Sequence, residues 1–97
     1  MQIVISHRVK PDNKFEARID CTKSIHFGQE GASDFTQHKN VLRKERYLQR
    51  HSKNEDWNNP LTAAFYATNL LWNKETLAES IRDTKRRFPN LHITNEN

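Results

Sequence analysis

Five cations, Lys39, Arg43, Arg46, Arg50 and Lys53, recur at spacings of four, three, four and three. At roughly 100° per residue, an α-helix would bring all five to within roughly 40° of one meridian. The segment that carries them, residues 38–53 (HKNVLRKERYLQRHSK), holds six Lys and Arg side chains against one Glu. An exposed helix normally gains from a Glu four residues ahead of a Lys or Arg, and Glu45 is the one acidic residue in this segment. Like charges on adjacent turns instead repel by on the order of a few tenths of a kcal/mol per pair. An anionic partner would offset that cost, whether the phosphates of a nucleic acid or the carboxylates of an acidic protein. The plain alternative is a solvated helix face.

A second basic group, Arg82-Asp83-Thr84-Lys85-Arg86-Arg87, closes the last expected helix, where cations also suit the negative end of the helix dipole. If it lies beside the first, Arg82, Arg86 and Arg87 would widen the face into a groove able to touch several phosphates. Contacts of that kind give affinity without sequence readout. Zinc-finger spacing, an RNP signature and a clear helix-turn-helix are all lacking, so base-specific recognition is not expected.

Other chemistry is thinly supported. His7, His26, His38, His51, His92 and Cys21 lack the paired short spacings of a structural zinc site. His26, Asp34 and His38 could converge in a nuclease-like trio, but such sites usually need more carboxylates for metal. A cap or hydrogen-bonding role for Asp34, and partly buried structural roles for His26 and His38, are the simpler reading. Cys21 has no partner for an internal disulfide, and no third group supports it as a nucleophile. No phosphate-loop or dinucleotide fingerprint occurs. The expectation is therefore a non-enzymatic protein with no metal, no cofactor and no small-molecule substrate.

Ninety-seven residues suffice for one small domain. A mean hydropathy of -1.01 and an apolar share of 34% imply a thin core that leans on Trp57, Trp72, Phe15, Phe27, Phe35, Phe65, Phe88, Tyr47 and Tyr66. The net charge of +4 and pI near 9.5 point toward polyanions or acidic surfaces. No apolar run is long enough for a membrane span, and Met1 to Ile5 is too short for a signal segment. The lone cysteine suits a reducing compartment. An intracellular protein is expected.

The elements that must hold the cations follow from pattern. Residues 2–9 read as a strand. Pro11-Asp12-Asn13 reads as a turn. Phe15, Ala17 and Ile19 alternate with Glu16, Arg18 and Asp20, which puts three apolar groups on one strand face. After a turn at Asp20 to Lys23, Ser24 to Phe27 forms a short third strand. Gly28 to Gly31 is a corner between strand and helix, with spacing unlike a phosphate loop. Asn40 caps a helix running to about Ser52, with Val41, Tyr47, Leu48 and His51 able to pack inward. Asn59-Pro60 starts a central helix, Leu61 to Trp72. Thr76 and Glu79 form a capping box, and Leu77, Ile81, Thr84 and Phe88 make one apolar stripe. Leu91 to Thr94 alternates and is compatible with a further short strand.

The words HFG (residues 26–28), GASDFTQHK (31–39), RKERYLQRH (43–51), NEDWNNPLTAAF (54–65), LLWNK (70–74) and TLAESIRDTKRRF (76–88) resemble a family of small uncharacterised proteins of nucleocytoplasmic large DNA viruses of algae and protists. The resemblance spans about Ser24 to Phe88. It implies a viral protein acting in the infected cell or in the particle, and it brings no activity or catalytic residue. It also implies a glycine-containing turn where this chain has Asp20 to Lys23, and often Gly in place of Ala64.

Together these readings predict a single α+β domain, a three-stranded antiparallel meander (2–28) followed by three helices (34–88) and a tail (89–97). Its expected role is to bind a nucleic-acid backbone through Lys39, Arg43, Arg46, Arg50 and Lys53, assisted by Arg82, Arg86 and Arg87. The alternative is a minor structural protein of a virus particle docking on an acidic viral protein.

Overall fold

Alternation decides the sheet. In the computed structural model, which describes residues 1–7, 13–29, 33–53 and 55–96, strands β1 (Gln2–His7), β2 (Asn13–Ile19) and β3 (Lys23–Gln29) form the expected antiparallel meander. Residues 8 and 9 of the expected first strand, the Pro11-Asp12 turn and Gly31 lie outside the described residues. Register sets apolar groups in rows, Ile3 opposite Ile19, and Ala17 between Ile5 and Ile25. Phe15 likewise faces Phe27, and their rings stack with centroids 5.6 Å apart. Because the side-chain period is two, these rows share one face. Glu16, Arg18 and His26 point to the other.

The hairpin between β2 and β3 turns through Asp20 and Cys21, both left-handed at φ 51° and 59°. That matches the twist of a tight hairpin, at a steric cost for any residue other than glycine. The Asp20 carboxylate accepts the Gln2 amide at 2.8 Å, which ties the turn to the start of β1.

The meander plus three helices needs correction at three points. The expected tail contributes β4 (His92–Asn95), which pairs parallel with β1, so the sheet is mixed and four-stranded in the order β3-β2-β1-β4. Its cause is the free edge of β1, whose backbone groups need partners. His92 donates to the Met1 carbonyl and Glu96 to the Ile5 carbonyl, each at 2.9 Å, while Ile93 is buried beside Ile3. Next, a short helix α1 (Phe35–His38) precedes the cationic helix α2 (Val41–His51). Asp34 caps α1 through the Thr36 amide at 2.9 Å, and Gln37 reaches back to the Asp34 amide at 3.1 Å.

The central helix is the third correction. It runs as α3 (Ala63–Tyr66) and then widens into a π-helix, Ala67–Leu71. Thr62 is its cap, with the hydroxyl accepting the Phe65 amide at 3.3 Å. Asn59-Pro60 instead makes a turn, in which the Asn59 side chain accepts the Leu61 amide at 3.0 Å. Side chain and backbone of Asn59 compete here, and the turn wins.

The last helix, α4 (Leu77–Arg87), starts at Thr76 as expected. Its hydroxyl accepts the Glu79 amide at 3.1 Å and donates to the Glu79 carboxylate. Ile81 and Thr84 are buried, with Leu77 and Phe88 packed beside them. The helical segments cover one face of the sheet, and the core between the layers joins Ile3, Ile5, Phe27 and Ile93 to Phe65, Tyr66, Leu70 and Leu71. Burial pushes the Tyr66 phenol above its ordinary pKa, and its hydroxyl is satisfied by the Pro60 carbonyl at 2.7 Å. The result is a small α+β domain.

Candidate functional site

Helix α2 begins where Asn40 accepts the amides of Leu42 and Arg43, at 3.0 and 3.2 Å. Three cations of the spaced set, Arg43, Arg46 and Arg50, lie within its span and are exposed. Lys39 stands just before it, as the left-handed C-cap of α1 at φ 53°, and its amine bonds the Thr36 carbonyl at 2.8 Å. Lys53 stands just past the C-cap Ser52. Both flanking lysines are exposed. The helix thus carries three of the five cations, with one lysine beyond each end. Among the described residues none of the five is ion-paired to a carboxylate.

What holds α2 in place lies on another side of it. Lys44 turns inward, donating to the Asn73 carbonyl at 2.5 Å and standing 4.9 Å from the centre of the Phe35 ring. Burial, with help from Lys74, lowers its pKa. Tyr47 stacks on Trp72 at 4.2 Å and 3°, and on His51 at 4.1 Å. Burial raises the Tyr47 pKa. His51 meets Glu55 at 2.5 Å. Val41 was expected to pack inward and does not: it is 59% exposed and Leu42 56%. Val41 lies on the helix side shared by Leu48, so its exposure shows that the first turn of α2 overhangs the layer beneath.

The second basic group is built differently. Asp83 pairs with Arg86 at 2.5 Å and with Arg87 at 2.9 Å, and accepts the Asn73 amide at 2.9 Å. The Asn73 amide first, and then the two guanidinium groups, hold the Asp83 carboxyl well below the usual carboxylate range. Arg87 also donates to the Asn69 side chain at 2.7 Å. Arg82 is exposed. Arg82 and Arg86 line one cavity, while Arg43 and Arg50 line another, and no cavity described is lined by both groups. The side of α2 that leads toward α4 carries Lys44, through Asn73 to Asp83.

The nuclease-like trio does not converge. His26 meets Glu16 at 3.2 Å on the open face of the sheet. Asp34 caps α1 and pairs with Lys14 at 2.7 Å, buried. The Nδ1 of His38 accepts the Asn40 amide at 2.9 Å, and burial followed by the nearby Arg43 lowers its pKa. Among the described residues no group of three or more His, Cys, Asp and Glu side chains could hold a metal ion. No helix there is long and apolar enough to cross a membrane.

Residue-type reasoning missed the cavity against α2. It measures about 510 Å³, and Lys14, Ser33, Arg43, Tyr47, Arg50 and Trp72 are among its walls. The Asp34 to Gln37 capping box was a signal for part of it, because it anticipates α1 beside the mouth.

Residues 3–51 match the model of a family of unknown function, DUF5754. The chain belongs to this family. The DUF5754 match runs from Ile3 in β1 through β2, β3 and α1 to the end of α2, and so includes Arg43, Arg46 and Arg50. Neither the curated proteins nor the solved structures provide a match.

Proposed function

We propose that this DUF5754 protein binds a polyanion, the backbone of a nucleic acid, through the exposed face of α2. One observation carries the reading: Arg43, Arg46 and Arg50 share that face, and among the described residues no carboxylate is ion-paired to them. Lys39 and Lys53 extend the same charge past each end of the helix. Arg86 and Arg87 contribute less, because Asp83 already engages them. Backbone contacts of this kind give affinity without base specificity. A viral origin, which the resemblance of residues 24–88 implies, would suit a protein that meets nucleic acid in the infected cell or in the particle.

A second reading, docking on an acidic protein surface of a virus particle, has its own support. Val41 and Leu42 are exposed at the start of α2, next to Arg43, and an apolar pair rimmed by cations suits a protein partner better than phosphates.

A salt-resolved titration of the protein with duplex and single-stranded DNA tests the first reading. Binding should weaken steeply with salt, by about 0.9 in log-log slope per phosphate contact on duplex DNA, and should collapse in an Arg43→Glu, Arg46→Glu double variant. Absence of binding at low salt would sink it in favour of the protein partner.

A further inference from the structure

We infer that the cavity against α2 receives an unpaired base, so that the protein prefers single-stranded to duplex nucleic acid. This rests on the polyanion reading above and adds a second element to it. Arg43 and Arg50 belong both to the exposed face of α2 and to the wall of the cavity. A strand whose phosphates lie along that face therefore passes the cavity mouth.

The interior suits a flat, partly apolar body attached to an anion. Tyr47, Trp72, Ala67 and Leu71 supply aromatic and aliphatic wall, and Ser33 supplies a hydroxyl that accepts the Arg43 guanidinium at 3.2 Å. The volume of about 510 Å³ falls in the range of roughly 300–1,000 Å³ typical of small-molecule sites. Charge agrees as well. Lys14 is balanced by Asp34 at 2.7 Å, which leaves Arg43 and Arg50 as unpaired positive charge among the cavity's described walls.

Two local departures from regular backbone meet at this wall. Ala67 and Leu71 belong to the π-helix, a geometry that recurs at functional sites. Gly28 sits opposite at φ +76°, where an added Cβ would come within 2.9 Å of Leu71. A paired base lies stacked within its duplex and cannot enter such a space, whereas an unpaired base can. The rings of Tyr47, Trp72 and His51 already stack on one another, so a base would extend this aromatic cluster from its edge, and base–aromatic contact contributes on the order of tenfold or more per base in single-strand binders.

Fluorescence anisotropy with three labelled probes of equal length separates the possibilities: single-stranded DNA, duplex DNA, and a single strand made of abasic units. The expected result is that the base-bearing strand binds about tenfold or more tighter than the abasic strand, with the duplex weak as well. Ser33→Phe narrows the mouth at an exposed position and removes the acceptor of the Arg43 guanidinium, so it should lower single-strand affinity by a larger factor than duplex affinity. With Trp57→Phe leaving Trp72 as the only tryptophan, base-bearing strands should quench its emission and abasic strands should not. Equal binding of all three probes, with a steep salt slope, would overturn the cavity inference and leave the polyanion reading standing. No binding of any probe would overturn both. A nucleoside monophosphate competing as well as the oligonucleotide would overturn the strand assignment in favour of a free nucleotide.

Discussion

Two clusters of arginine lie on two helices of this molecule, and among the described residues Arg86 and Arg87 of one share a carboxylate while no arginine of the other is ion-paired. On α4, Arg86 and Arg87 reach back three and four residues to Asp83. On α2, Arg43, Arg46 and Arg50 pair with no carboxylate among the described residues. Both segments are basic in sequence, yet the first ties its charge into structure and the second presents it. Clustered charge in a sequence is therefore free for an external partner only where the fold supplies none of its own.

The comparison can be broken from the α4 side. Asp83→Ala should cost roughly 1–2 kcal/mol of stability, since a largely enclosed carboxylate that accepts three hydrogen bonds is lost. It should also strengthen polyanion binding by releasing Arg86 and Arg87. Chemical denaturation and a DNA titration on the same variant check both halves. Acid gives an independent check with a definite sign. The folded pKa of Asp83 lies below the ordinary value of 3.8, so its contribution is complete well above that pH. It is lost as pH falls from there through the folded value. The stability gap between wild type and Asp83→Ala should therefore shrink as pH drops below 3.8, and a constant gap would contradict the assignment.

The wall beneath α2 offers a smaller test. Gly28→Ala forces a side chain into a left-handed conformation and against Leu71, at a cost of about 1–2 kcal/mol from the backbone alone. Thermal unfolding should show a lower midpoint, and an unchanged one would mean that the glycine is not required there.

The smallest effect comes from giving α2 the carboxylate it lacks. Leu42 is exposed and stands four residues ahead of Arg46 in the favoured orientation. Leu42→Glu should stabilise the helix by about 0.3–0.5 kcal/mol while weakening DNA binding. Opposite signs for stability and affinity would make α2 resemble α4, and a gain in both would count against the binding face.

How far the sequence anticipated this structure depends on how local each cause is. The alternation of Phe15, Ala17 and Ile19, the cap at Asn40 and the stripe Leu77, Ile81, Thr84 and Phe88 are written in neighbouring residues, and the fold uses them so. Asp83 was equally legible, at helical spacing from the two arginines that it holds. β4 was less so, because its partner strand lies at the other end of the chain and only Ile93 of its four residues is buried. The π-helix and the choice of Thr62 over Asn59 as a cap depend on how the central segment packs against the sheet, and propensity does not report that. Lys44 reads in the sequence as one more surface cation, while its position around α2 turns it toward Asn73. The cavity depends on Lys14, Ser33, Tyr47 and Trp72 meeting from distant segments, and no spacing along the chain announces it.

The most direct test of the central claim is the salt slope of duplex DNA binding in two double variants, Arg46→Gln with Arg50→Gln, and Arg86→Gln with Arg87→Gln. Removal of the α2 pair should lower the log-log slope by about 1.8, at about 0.9 per lost phosphate contact, and removal of the α4 pair should leave it nearly unchanged. Equal losses from both pairs, or a larger loss from α4, would contradict the claim that the unpaired arginines of α2 form the binding face.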